Sequence, residues 1–353
     1  MALTLTVDGE RWRAHLRHLA AAQPGLVPVA KGNGYGFGLA RLARKSQWLR
    51  DQDLGAETLA VGTYEELPEV ADRFGGDLLV LTPWREFSDP GTLAAKHSRR
   101  VVHTVGRLDD LDGLLARQPG ARVVIEALTS MKRHGLPHED LQVALRRVAE
   151  HGQARLEGVA VHLPMTNGAH LPEVEQVLTA VGPGIGQIWV SHLSAEELTR
   201  LRAAHPDVRV RPRIGTDLWL GDRSALRVTA TVLDVHTLKK GERFGYRGRP
   251  APRDGHLLVV SGGTAHGIGL ESPMSGSSLR DRAATLARGG LDAAGKVRSP
   301  FWVDGEQRRF AEPPHMQASM LFLPRGAAVP SIGDLVDARV RYTATTFDGV
   351  EID

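Results

Sequence analysis

The 353-residue chain contains no cysteine, which removes disulfides, zinc–thiolate sites and any thiol nucleophile, while leaving the redox compartment open. An excess of one charge is also missing. Forty-four Lys and Arg stand against 41 Asp and Glu for a formal net charge of +3, and the basic residues occur singly or in pairs such as Arg99-Arg100 and Lys239-Lys240. Without a basic tail or stripe, nucleic acid is not an expected partner. No run approaches the ~20 apolar residues of a membrane span. The first ten residues lack the positive segment and apolar stretch of a secretory leader, so a soluble, cytoplasmic protein with no membrane partner is expected. A Gly-x-Gly-x-x-Gly turn opening a helix, with an acidic residue some twenty positions later, is absent too, which disfavours a dinucleotide site. Internal repeats and low-complexity tracts are not found.

What is present is alternation. Eight short runs rich in Val, Ile and Leu, as strands buried on both faces require, lie at residues 26–31, 58–61, 78–82, 101–104, 122–126, 156–162, 187–191 and 208–214. Helical patterns follow most of them, at 39–49, 65–74, 141–150, 174–181 and 194–204; the link after Thr82 is the least distinct. Eight strand-plus-helix units fit an α/β fold of the (β/α)8 TIM-barrel type better than an open doubly wound sheet. Beyond Gly221 the texture changes to short strands at 228–235, 256–261, 301–304, 320–323 and 338–342, separated by Gly, Pro and Asp turns, which predicts a predominantly β C-terminal domain. The boundaries expected are residues 8–222 for the barrel and 223–353, joined by the opening strand 1–7, for the second domain. Residues 267–295 read as a long loop.

In such a barrel, chemistry gathers where strands end at the carboxyl side. The first strand ends at Lys31, followed by Gly32-Asn-Gly-Tyr35-Gly-Phe-Gly38, too Gly-rich for helix or strand. Partial desolvation of a lysine there lowers its pKa and favours the neutral amine that forms imines. A surface lysine beside a flexible turn is the plainer alternative, and the residues alone leave both open. The same holds further along: His162 also reads as a core histidine, Ser194 as a helix N-cap, Glu126 and Arg133 as a structural ion pair, Tyr246 as a packed strand residue and Met131 as core.

The segment Val29-Ala-Lys31-Gly-Asn-Gly-Tyr35-Gly-Phe-Gly38 resembles the pyridoxal-phosphate lysine motif of alanine racemases, and the likeness continues downstream in order. Residues 124–135, with Glu126 and Arg133, are similar to the fifth-strand segment of that family, and His162 ends a strand resembling the one whose histidine lies against the pyridine ring. Ser194, Arg213 with Gly215 and Thr216, and Tyr246 resemble the phosphate-binding serine, the Arg-x-Gly turn and the catalytic tyrosine. The resemblance implies pyridoxal 5'-phosphate held as a Schiff base on Lys31. Its phosphate would be met by Tyr35, Ser194, Gly215 and Thr216, its ring by His162 and Arg213, and the substrate carboxylate by Arg133 and the Met316 amide.

An arginine at the ring nitrogen discourages protonation there and suits a brief carbanion rather than a long-lived one. Racemisation needs a proton carrier on each face; the resemblance implies Lys31 on one and Tyr246, from the partner subunit of a homodimer, on the other. Where the family steadies its arginine with a carbamylated lysine this chain has Glu126, so a direct Glu126–Arg133 ion pair is expected. Departures fall in the second domain. Thr264 and His266 replace Tyr and Asp of a Gly-Tyr-Ala-Asp-Gly pattern, and His315-Met316-Gln317 replaces Cys-Met-Asp; Leu193 stands for an asparagine, and a terminal family segment has no counterpart. No metal is expected. The alternatives are another enzyme of this cofactor fold, a decarboxylase or D-amino-acid aldolase, a non-catalytic carrier of the cofactor, or a nucleotide-binding domain.

Overall fold

The computed structural model describes residues 2–88, 93–165, 169–270 and 298–353. It divides into two units, Arg13–Gly221 and Met1–Trp12 together with Asp222–Asp353. The expected long loop lies outside the described residues from residue 271 onward.

Strand β1 (Leu3–Val7) belongs to the second unit. The first unit carries the eight expected strands, β2 (Val27–Pro28), β3 (Thr58–Val61), β4 (Asp77–Val80), β5 (Val101–Val105), β6 (Arg122–Ala127), β7 (Arg155–His162), β8 (Gln187–Ser191) and β9 (Arg209–Ile214). All neighbours pair in parallel in the order β2-β9-β8-β7-β6-β5-β4-β3, and a parallel bridge between Val29 and Ala60 joins the two ends into a barrel. The closing strand is short because the glycines beyond Lys31 turn the chain away. Helices follow where the apolar periodicity placed them, at Leu39–Asp51, His138–His151, Leu171–Val181 and Ala195–Ala204; Pro68 splits the expected 65–74 helix, leaving Leu67–Ala71. The indistinct link after Thr82 holds one four-residue helix, Ala95–Ser98, among its described residues.

Side chains of Val27, Val29, Ala60, Leu79, Val102, Val124, Ala160 and Trp189 meet inside the barrel. The ninth strand contributes Arg211, whose guanidinium lies 4.5 Å over the Trp189 ring and bonds the Thr58 hydroxyl and the Gly25 carbonyl. At the amino ends of the strands Arg122 donates to both oxygens of Asp77 and, at 2.7 Å, to Glu157, which is 5% exposed. Arg122→Ala strips that buried carboxylate of its inner partner, leaving the outer Arg155 at 2.9 Å. A loss of about 3 kcal/mol is expected in urea unfolding. Arg227→Ala, which breaks an exposed pair with Asp337, should cost less than about 1 kcal/mol.

The second unit is built on β10 (Leu226–Leu238), the hairpin β11 (Arg243–Phe244) and β12 (Arg249–Pro250), β13 (Gly255–Ser261), β14 (Arg298–Val303), β15 (Glu306–Phe310), β16 (Ala318–Pro324), β17 (Leu335–Ala338) and β18 (Gly349–Ile352). The thirteen-residue β10 bends at a bulge between Val232 and Asp234, pairing β17 with one half and β13 with the other. The order β10-β13-β16-β15-β14-β17 therefore closes on itself, an antiparallel ring. The opening strand β1 lies against β10, and β18 runs parallel to β1. The strand expected at 338–342 is corrected: pairing runs over Leu335–Ala338 and stops at Arg339, whose guanidinium lies 3.8 Å over Trp302.

Candidate active site

Side chains alternate along a strand, so the next inward position lies two residues beyond each core residue. Two beyond Val29 is Lys31, beyond Val124 is Glu126, beyond Ala160 is His162, beyond Trp189 is Ser191 and beyond Arg211 is Arg213. The apolar layer thus sets a ring of polar groups at the carboxyl end of the barrel.

Lys31 reaches solvent at the mouth, yet protein surrounds its stem. Lost hydration, reinforced by Arg133 and Arg213, lowers its pKa below the ordinary 10.5, against a smaller opposing pull from Glu66. Gly32, Gly34, Gly36 and Gly38 all take positive φ, and Tyr35 between them has φ 55. Only a chain dense in glycine adopts this path readily. It buries the Tyr35 ring and sets its hydroxyl against the Cα of Gly215, where a Cβ would overlap it. The Gly-rich loop and the turn after β9 are brought together in this way. Gly215→Ala should push the Tyr35 hydroxyl aside and, for the pyridoxal phosphate that the family resemblance implies, weaken binding about tenfold in an equilibrium titration. Gly186→Ala, which meets open space, should leave it unchanged.

Arg213 is buried, with Nε donating to the Ser191 hydroxyl at 3.1 Å and a terminal nitrogen to the Val161 carbonyl at 3.0 Å. Burial brings its pKa down to about 10, with Glu126 opposing, so it remains a cation at neutral pH. His162 is pushed down to about 3 by burial first and then by Arg213 and Arg133, which keeps the imidazole neutral. His192, at φ 64, stands edge-on to it at 5.2 Å.

The expected Glu126–Arg133 ion pair is not formed: no ion pair within 4 Å joins them, because Arg133 sits exposed in the loop beyond β6 whereas Glu126 points inward. Glu126 is 3% exposed, one of its oxygens lacks a hydrogen-bond partner, and burial raises its pKa against the pull of Arg213 and then Arg133. Ser194 caps the helix Ala195–Ala204, its hydroxyl accepting from the Glu197 amide at 3.2 Å while Glu197 accepts from the Ser194 amide at 2.9 Å. That hydroxyl keeps its own proton to donate. Thr216 opens the short helix Thr216–Leu220. Met131, read as core, is 37% exposed.

In the second unit Tyr246 sits at the tip of the β11–β12 hairpin, and Met316 is exposed. His266 accepts from the Gly263 amide at 3.2 Å and meets Asp348 at 3.1 Å, which ties down the turn containing Thr264. Three contributors went unread in the sequence. Glu66 accepts from the Gly32 amide at 2.7 Å and the Gly62 amide at 2.6 Å, bridging the loops after β2 and β3. The Thr63-x-x-Glu66 pattern was the available signal. Ser191 was marked only by its parity with Trp189, and His192 by no pattern.

Residues 7–212 match the family model described as alanine racemase, N-terminal domain. The alanine racemase of Nitratidesulfovibrio vulgaris is 26% identical over 277 residues, 72% of this chain and 72% of that protein. That of Shewanella frigidimarina is 26% identical over 348 residues, 92% and 85% of the two chains. Among solved structures, alanine racemase from E. faecalis superposes with a TM-score of 0.70 at 19% identity, covering 99% of this chain and 98% of the other. Alanine racemase from Bartonella henselae with covalently bound pyridoxal phosphate gives 0.69 at 17%, covering 97% and 91%. With more than half its length matched by the family model and both units matched in fold, the chain belongs to the alanine racemase family.

Proposed function

We propose that this protein is a pyridoxal-phosphate-dependent amino-acid racemase, with Lys31 and Tyr246 as the two proton carriers. The observation that carries this reading is the Lys31 amine, in the polar ring directly above the barrel core, with its pKa lowered by burial and by two arginines. The donor set suits the cofactor: a lysine biased toward its neutral form, a fixed cation in Arg213, a neutral His162, and the close approach of Tyr35 to Gly215. Tyr35, Ser194, Gly215 and Thr216 would hold the phosphate, His162 and Arg213 the ring, and Arg133 with the Met316 amide the substrate carboxylate. Bound pyridoxal phosphate supplies an electron sink that renders the α-hydrogen of an attached amino acid acidic.

Lys31 would then take or return a proton at Nζ on one face, helped by a lowered pKa that enlarges the unprotonated share of the amine. Arg213, held by Ser191 and Val161, stays charged and limits how far negative charge is stored. That favours rapid return of the proton over slower outcomes. The opposite face needs a second carrier. The family resemblance implies a homodimer in which the partner subunit's Tyr246 fills that role, so that each of two shared sites is completed by the other chain.

The test is incubation of the purified, cofactor-loaded protein with a panel of L- and D-amino acids in deuterated water. Deuterium at the α-carbon with inversion is the expected result. Carbon dioxide release would instead mark a decarboxylase, and the absence of exchange with every amino acid a carrier; either overturns the reading.

A further inference from the structure

A cluster of titratable side chains on the second unit gathers around one buried carboxylate. Tyr246 is 87% exposed, whereas Glu312 is 3% exposed. One Glu312 oxygen accepts the Tyr246 amide at 3.1 Å, and the other meets Nε2 of His315 at 2.6 Å. A carboxylate in this setting accepts, so Nε2 carries the proton. The imidazole in turn lies 4.7 Å from the Tyr246 ring, tilted by 54°. Gly245, at φ 69, makes the approach possible, since a Cβ there would overlap the Glu312 carboxylate. The backbone behind the imidazole is fixed as well: the His315 carbonyl accepts from Thr264 at 2.8 Å and its amide donates to Ala318 at 2.9 Å.

We propose that His315, braced by Glu312, is a positioning residue that holds the Tyr246 phenol in the orientation from which it exchanges protons. This rests on the reading of Tyr246 as the second proton carrier. The physical need is plain. An exposed tyrosine at the tip of a hairpin with two pairs in its ladder is free to turn about χ1 and χ2, whereas proton transfer demands a fixed approach to the α-carbon. Glu312 meets that need from two sides, gripping the main chain of Tyr246 and the ring that walls its side chain. An unbraced imidazole at this spot would rotate with the tyrosine rather than restrain it. Buried in this way, the carboxylate is also poorly placed to find water if either partner leaves.

The chain has four tyrosines, so a 13C-tyrosine spectrum of the cofactor-loaded protein carries few signals, and the one lost in Tyr246→Phe reports this residue. In His315→Ala the Tyr246 resonance is expected to move to that of a freely turning ring. The rate of α-deuterium exchange from the enantiomer served by Tyr246, at saturating substrate, should fall roughly tenfold while exchange from the other enantiomer stays nearly unchanged. His315→Phe, which restores a wall without a titrating group, should recover both. Glu312→Gln, similar in volume, leaves one acceptor oxygen for two donors and so loosens the brace by a second route should the alanine variant fold poorly. An unmoved resonance overturns the proposal, as does a moved one with both exchange rates intact when Tyr246→Phe does impair exchange from one enantiomer. If Tyr246→Phe leaves both enantiomers exchanging while the His315→Ala resonance moves, the proton-carrier reading fails and the brace stands.

Discussion

Lys31→Ala is expected to abolish covalent retention of pyridoxal phosphate and to lower racemisation by about a thousandfold or more. Both follow from one amine, since in the proposed reaction the group that would anchor the cofactor would also be the carrier for one face. Borohydride reduction of the loaded protein followed by peptide mass analysis reads the attachment point, and persistence of the adduct in the alanine variant would sink the assignment. Lys45→Ala is the control. Its pKa is also lowered by burial, with Arg13 and Arg17 adding to the effect, and its amine lies 4.7 Å over the Trp48 ring. It stands on the helix Leu39–Asp51 rather than in the polar ring of the barrel, so its loss should leave attachment intact. The sign of the pH dependence is fixed by Lys31: a lowered pKa keeps the amine neutral further down in pH, so attachment should persist at lower pH than for a lysine titrating near 10.5.

Tyr246→Phe is expected to do something different in kind. The variant keeps its cofactor and spectrum, but α-deuterium enters from one enantiomer only, and net racemisation falls by about a hundredfold or more. The asymmetry is the diagnostic feature, because a residue that merely supported the site would slow both enantiomers alike. Equal loss from both would therefore count against two carriers on two faces. Initial rates with separate L and D substrates in deuterated water, followed by NMR, provide the measurement.

The barrel was legible because its eight strands are buried on both faces and read as continuous apolar runs, bounded by turn residues. Even the isolated strand Leu3–Val7 found its partner in the second unit, where β10 lies against it. The second unit was less legible where side chains face solvent. The strand Glu306–Phe310 is mostly charged and shows no apolar alternation, and Arg339 to Tyr342 alternate as a strand would while packing through a guanidinium on Trp302. At the site, position at the strand ends pointed to Lys31 and the family resemblance to Glu126, His162 and Arg213, which alternation along the strands sets on one inward ring. The direction of a loop residue was not, so Arg133 was paired in expectation with a carboxylate that faces elsewhere. Glu66, Ser191 and Glu312 act through hydrogen bonds to main chain or to another side chain across distant segments, and a linear pattern carries little trace of such contacts.

The closed ring of the second unit bears on how copies of the chain can associate. Among the described residues of its eight-stranded sheet, β13, β16, β15, β14, β17, β10 and β1 each have neighbours on both sides, and the strand with an open flank is the four-residue β18. Aggregation by edge-to-edge main-chain pairing has almost no template here. Self-association through the described part of this sheet would therefore be written in side chains and loop tips, where a single substitution can tune it without disturbing the hydrogen-bonded frame.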